Sequence, residues 1–195
     1  MTTYHQNTAN DEASPLLLDT LAKVSFQNDS RIALDLGCGS GGDTLELLRR
    51  GWSVTAMDAS QEGLDFLGSR LAVDQQGKVT FHHSQFENYS IVQGHFSLIH
   101  AGYSLPFCAP SEFPKLWMEI ENGLKPGGVF CGQFFGPRDT WAKGDKISIH
   151  LREEVEALLK GFLILNFVEV EKEAPGRFGG TKHWHIFHVA ARKLA

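Results

Sequence analysis

Apolar residues along the chain follow two rhythms. Short apolar runs at 32–36, 54–57, 79–81, 96–101 and 129–135 are bounded by glycine or polar clusters. Their length and their Val/Ile/Phe content predict buried strands. Between them, apolar residues recur at helical spacing. Leu16, Leu17, Leu18, Leu21 and Ala22 mark a helix opening at Ser14–Pro15, and Leu45 and Leu48 mark one over 42–50. Leu64, Leu67 and Leu71 mark a helix capped by Ser60. Phe113, Trp117, Ile120 and Leu124 mark another capped by Ser111, and Val155, Leu158 and Leu159 a last one over 151–160. Gly51 reads as a helix stop, Lys125-Pro126-Gly127-Gly128 as a turn into the fifth strand, and 136–150 as a loop. Two final strands, 163–171 and 183–191, follow with only a glycine-rich stretch around Gly176, Gly179 and Gly180 between them.

Strand–helix alternation predicts an α/β fold, a mostly parallel sheet covered on both faces. The final pair, having no helix to cross over, must form a hairpin and so contribute an antiparallel strand. No repeat or linker divides the 195 residues, so residues 14–195 are expected to form one domain behind a polar arm, 1–13.

Composition narrows the class. A net charge of −5 without a basic stripe argues against nucleic acid as partner. Cys38, Cys108 and Cys131 are widely spaced and odd in number, as expected of free thiols in a reducing compartment. The N-terminus has no basic-then-apolar leader, and no apolar run approaches the roughly 20 residues of a membrane span. These features predict a cytoplasmic protein without membrane contact.

The chemistry concentrates in Asp35-Leu36-Gly37-Cys38-Gly39-Ser40-Gly41-Gly42-Asp43, between the first strand and the next helix. Glycines permit a sharp turn and close approach of a ligand to bare backbone, and amides at the helix start favour negative charge. Asp58 follows Gly39 by 19 residues at the end of the next strand, where a carboxylate can accept from both hydroxyls of a ribose. Gly37, Gly39 and Gly42 also match the dinucleotide fingerprint, so a nicotinamide oxidoreductase is an alternative. Asp35, just before the glycines, suits the ammonium and sulfonium of S-adenosylmethionine and would repel a pyrophosphate.

With these residues in place, the sequence resembles the class I S-adenosylmethionine-dependent methyltransferases from about Pro15 onward. The resemblance rests on the Asp35–Gly41 loop, on 54–58, on 96–101 followed by Tyr103 and Leu105, and on Leu124-Lys125-Pro126-Gly127-Gly128. Within that family the chain looks most like small bacterial enzymes of the tellurite-resistance or thiol-methyltransferase kind. The resemblance implies a three-layer Rossmann-like sandwich whose seven-stranded sheet has its last strand antiparallel. It implies that Asp35, Gly37, Cys38 and Gly39 meet the methionine end, Asp58 the ribose and Ala59 the adenine. The usual adenine-amine acceptor, an Asp after the third strand, is replaced by Ser84, followed by Gln85 and Phe86, so Gln85 or the backbone is expected to serve the adenine, with Phe86 also in the cofactor site. Ala101 and Tyr103 would lie near the methyl group.

Methyl transfer from a sulfonium is an in-line displacement, so the protein mainly aligns the acceptor and excludes water. A soft nucleophile needs little more; a hydroxyl or ammonium needs a base. Tyr103, His100, Asp139 and His150 are the candidates by position, each weighed against an ordinary structural role. His183 and His185 alternate onto one strand face, but spacing indicates no third ligand, and no metal is expected. Gly102-Tyr103-Ser104-Leu105-Pro106-Phe107 is not the motif of enzymes that methylate nucleic-acid bases. A small-molecule methyl acceptor is expected, covered by the arm and by loop 136–150, where Trp141 is a candidate wall; Arg138, Lys143 and Arg177 are candidate anion attractors. A non-catalytic S-adenosylmethionine-binding module is the remaining alternative.

Overall fold

A computed structural model describes residues 12–26, 31–176 and 180–194. Its seven strands are β1 (Ile32–Leu36), β2 (Ser53–Asp58), β3 (Val79–His83), β4 (Phe96–Ala101), β5 (Leu124–Phe135), β6 (Phe162–Pro175) and β7 (Thr181–Lys193). They form one sheet in the order β3-β2-β1-β4-β5-β7-β6. Strands β1 to β5 pair in parallel, and β7 lies antiparallel between β5 and β6. The expected sheet is thus observed. The helices are α1 (Pro15–Lys23), α2 (Gly42–Arg49), α3 (Gln61–Ser69), α4 (Phe113–Gly123) and α5 (Arg152–Leu158).

Alternation along the strands feeds two apolar layers. Leu34, Leu36, Phe130, Phe134, Phe187 and Val189 pack under Phe113, Leu116, Trp117 and Ile120 of α4 and Val155 of α5. Ala33, Val54, Leu98, Val129 and Ala190 pack under Leu16 and Leu17 of α1 and Leu47 and Leu48 of α2. Leu64 and Leu67 of α3 cover Ala56. Each large side chain so buried contributes about 1.5–3 kcal/mol, which makes the central sheet rigid enough to present a precise edge.

The caps set where chain enters that edge. Ser14 Oγ accepts from the Leu17 amide at 3.4 Å and Ser60 Oγ from the Gly63 amide at 3.2 Å. Gly51, at φ +82°, ends α2 as expected. Helix α4 differs from expectation: its cap is Glu112 rather than Ser111, and it starts on Phe113–Pro114, whose proline suits a first turn. The expected turn at 125–128 is an irregular opening of β5 itself, with a register shift against β4 between Phe96 and Leu98. Strands β6 and β7 run longer than their apolar cores because charged partners continue the ladder, Glu171 opposite His185 and Glu173 opposite His183. No helix among the described residues is long and apolar enough to cross a membrane. The arm 1–13, apart from Glu12 and Ala13, lies outside the described residues.

Candidate functional site

The carboxyl ends of β1, β2 and β4 meet at one edge of the sheet, and the glycine loop crosses it. Gly37, Gly39 and Gly41 all have positive φ, +74°, +54° and +85°. The amides of Gly37 and Cys38 donate to the Met57 carbonyl at 2.7 and 3.0 Å, tying the loop to β2. A methyl group on Gly37 would overlap Ser104, and one on Gly41 would overlap Leu67. At Gly39 the same construction meets nothing within 4 Å. The loop is therefore packed on both shoulders and bare at its centre.

Asp58 stands beside that bare centre. Its Oδ2 accepts from the Gly39 amide at 2.8 Å and its Oδ1 from the Ser60 amide at 2.8 Å. Each oxygen has a second lone pair for a further donor.

Beneath the loop lies a buried polar row. Asp35, His100 and Cys131 are neighbours on adjacent strands, on the face covered by α1 and α2. Thr44 Oγ1 donates to Asp35 Oδ2 at 2.6 Å. His100 sits between Asp43 Oδ2, 2.8 Å from Nε2, and the Cys131 carbonyl, 3.0 Å from Nδ1. Both ring nitrogens face acceptors, so the imidazolium satisfies the site. Burial opposes that charge, but Asp43 and the carbonyl outweigh it and hold the His100 pKa well above its ordinary value. Burial pushes Asp35 up to about 6, with His100 opposing the rise. The sequence-expected Asp35 is 1% exposed and bonds under the loop, not on its surface.

On the β5 side, Tyr103 is the one non-glycine with positive φ among the described residues, at +57°. Its amide donates to Gln133 Oε1 at 2.9 Å, while Ser104 Oγ donates to the Leu36 carbonyl. Tyr103 therefore abuts the glycine loop, and its ring packs edge-on to Trp184 at 6.4 Å. Trp184 opens an aromatic cluster with Trp141, Phe135 and Phe107. Inside it Lys182 Nζ lies 3.6 Å from the Trp184 centroid, 4.4 Å from Trp141 and 4.8 Å from Phe135, ion-paired to buried Asp139.

A model of the methyltransferase domain family matches residues 33–128, which hold the whole glycine loop, Asp58 and Tyr103. Residues 33–128 thus belong to the methyltransferase domain family, in keeping with the resemblance to class I S-adenosylmethionine-dependent methyltransferases. The chain is 31% identical over 98 residues to an uncharacterised methyltransferase of Synechocystis, covering 50% of this chain and 44% of that protein. It is 33% identical over 97 residues to magnesium-protoporphyrin O-methyltransferase of Rhodobacter capsulatus, covering 50% and 42%. The chain thus spans less than half the length of these curated relatives. The solved structure of TehB from Haemophilus influenzae superposes with a TM-score of 0.76 at 18% identity, over 91% of this chain and 61% of that one.

The other residues expected of this methyltransferase fold fall into two groups. Those near the loop are Cys38, buried within it; Ala59, whose carbonyl faces His83 Nε2 at 3.1 Å; exposed Gln85; half-buried Phe86, which packs toward Gly37; and buried Ala101. Burial also pushes the Cys38 thiol pKa up, opposing thiolate formation. The second group serves the scaffold. Asp139 caps a short turn by accepting from the Trp141 amide at 2.9 Å, and also accepts from the His185 amide at 3.2 Å. His150 packs on Phe113 and Phe134, and burial lowers its pKa. His183 faces Glu173 at 2.6 Å and Glu171 at 2.9 Å; His185 faces Glu169 at 2.8 Å. Arg138 pairs with Glu169 and Glu171, Lys143 is exposed, and Arg177 lies outside the described residues.

Sequence reasoning gave no role to Asp43, Thr44, Ser104, Gln133 or Lys182. Asp43 and Thr44 carried a local signal, as polar residues in the first turn of a helix whose outer face is elsewhere charged. Ser104, Gln133 and Lys182 carried none, because their partners are 68, 30 and 43 residues away.

Proposed function

We propose that this chain is a methyltransferase that binds S-adenosylmethionine at the glycine loop and passes its methyl group to a small-molecule acceptor by in-line transfer. The observation that carries this reading is the bare centre of the loop at Gly39, directly beside the doubly anchored carboxylate of Asp58. Bare peptide suits the amino-acid end of the cofactor, and the remaining lone pairs of Asp58 suit ribose hydroxyls. Ala59 follows Asp58 directly, and Gln85 and Phe86 follow Ser84, whose amide donates to the Asp58 carbonyl at 3.0 Å; these three residues are read as the adenine contacts. Asp35 and Asp43, offset in part by the His100 imidazolium, leave net negative charge under the loop, which favours a sulfonium and an ammonium and opposes a pyrophosphate. The cofactor supplies an activated methyl group on sulfur; the chain supplies alignment and exclusion of water.

The acceptor side is read as the edge bounded by Ala101, Tyr103 and the aromatic cluster of Trp184 and Trp141. Of the candidate bases, His100 is held between acceptors, Asp139 is committed to Lys182 and two amides, and His150 is set between aromatic rings. Tyr103 is the candidate that abuts the loop. This favours an acceptor that brings its own nucleophilic lone pair, as a thiolate or another soft nucleophile does. The buried free thiols Cys38, Cys108 and Cys131 support a cytoplasmic setting.

Calorimetric titration with S-adenosylmethionine, S-adenosylhomocysteine and NADH tests the cofactor. Binding of the first two and not the third is expected; NADH binding alone overturns the reading. Turnover assays with thiols, amines and metalloid oxyanions then identify the acceptor class, and cofactor binding without turnover across all of them favours a non-catalytic binding module.

A further inference from the structure

The contact between His100 and Asp43 joins three segments. Asp43 lies in the first turn of α2, immediately after the glycine loop. Its Oδ2 meets His100 of β4 at 2.8 Å, and its Oδ1 accepts from the Ser14 amide, the cap of α1, at 2.6 Å. The chain leaving β4 passes close above: a methyl group on Gly102 would lie 2.8 Å from His100 Nε2 and 2.9 Å from Asp43 Oδ2. Gly102 precedes Tyr103, so one ion pair, buried at His100 and half-buried at Asp43, underlies the end of the glycine loop, the start of α1 and the entry to the acceptor side. Neighbouring Thr44 is pinned in parallel to Asp35.

We propose that His100 is a positioning residue for cofactor binding, holding Asp43 and through it the end of the glycine loop and the start of α1 in the arrangement the cofactor requires. The proposal rests on the assignment of the loop as the S-adenosylmethionine site. His100 is fully buried, so it acts through Asp43 and not by touching the ligand. Its role depends on a proton. With Nδ1–H given to the Cys131 carbonyl, a neutral ring would turn an Nε2 lone pair toward the Asp43 carboxylate. The charged groups around it on the packed elements are Asp35 of β1 and Asp43 of α2, with Asp58 of β2 beyond Asp35, and the titratable thiol of Cys131 lies on β5. From α1 comes only the Thr20 hydroxyl, 3.4 Å from Cys131 Sγ. The surrounding carboxylates favour the imidazolium at neutral pH and release it on the alkaline side.

The test is calorimetry of the whole chain with S-adenosylhomocysteine, from neutral to alkaline pH, on the wild type, His100→Gln and His100→Leu. Wild-type affinity is expected to weaken as pH rises. His100→Gln has two N–H donors on one neutral nitrogen, so it is expected to keep most of the neutral-pH affinity and to lose the alkaline weakening. His100→Leu is expected to bind about tenfold more weakly at neutral pH, as for loss of one charge-assisted hydrogen bond. A folded His100→Leu with wild-type affinity overturns the proposal. So does a His100→Gln profile that parallels the wild type, a comparison that stands even where the leucine variant fails to fold. Failure of the wild type to bind at any pH overturns instead the assignment of the loop.

Discussion

The Gly39 amide donates to Asp58 Oδ2 at 2.8 Å, joining the one loop glycine with open space before it to the end of β2. A single carboxylate therefore shapes the loop and, in the proposed reading, also holds the ribose. Asp58→Ala removes both contributions and is expected to weaken S-adenosylmethionine binding by about 1–3 kcal/mol. Asp58→Asn keeps one acceptor oxygen and should lose less. Calorimetry on both variants checks the order; equal affinity in all three proteins refutes the placement of Asp58 in the site.

The two neighbouring glycines are expected to fail in different ways. A methyl group on Gly37 collides with Ser104 at φ +74°, and Ser104 is fixed by its bond to the Leu36 carbonyl. Gly37→Ala should therefore destabilise the fold by about 2–3 kcal/mol, through overlap added to backbone strain. A methyl group on Gly39 meets no protein atom, so Gly39→Ala should cost about 1–2 kcal/mol of backbone strain. Cofactor affinity should nevertheless fall, because the new methyl stands in the open space. Urea unfolding paired with calorimetry separates the two effects.

The central strands were legible because they are buried on both faces and read as continuous apolar runs: β1 and β4 lie at 32–36 and 96–101 as expected. The final hairpin was legible in kind and not in extent. Glu169, Glu171 and Glu173 belong to its ladder through partners on β7 and in the loop after β5, and their charge hides that from a hydrophobic pattern. The site divides the same way. The glycines and Asp58 stood out by residue type and spacing, and the fold brings them together through the Gly39 amide and Asp58 Oδ2. His100 stood out as a titratable group, and only its fully buried place between Asp43 and the Cys131 carbonyl shows it as scaffold. Nothing local marks Tyr103 for positive φ; that follows from Gln133 and Ser104 holding the chain on either side of the loop.

Asp35 supplies a pH test. Its pKa rises from 3.8 to about 6 in the fold, chiefly because burial penalises the carboxylate. Between those values the folded state binds more protons than the unfolded state, so this group's contribution to stability falls as pH rises and levels off above about 6. Asp35→Asn keeps an acceptor for Thr44 Oγ1 without the charge. The stability of Asp35→Asn relative to wild type should therefore grow between about pH 4 and pH 6, by of order 1–3 kcal/mol, and then plateau. Urea unfolding at matched pH values measures it; a difference that shrinks over this window contradicts the buried-carboxylate account.

Lys182 and Asp139 form a fully buried charge pair, with side-chain exposures of 4% and 0%. Lys182→Met leaves Asp139 with two amide donors and no cation, and Asp139→Asn leaves an ammonium among three aromatic rings without its counter-ion. Each is expected to cost about 3–5 kcal/mol, since breaking a buried pair strands a charge. The double variant should recover a large share, because neither charge then remains to be desolvated. The same cycle bears on catalysis. A structural Asp139 predicts that methyl transfer lost in Asp139→Asn returns, at least in part, in the double variant, as Trp141 and Trp184 regain their packing. A general base predicts no return, because the double variant still lacks the carboxylate. Stability and turnover followed through one double-mutant cycle thus distinguish a residue that shapes the acceptor side from one that takes its proton.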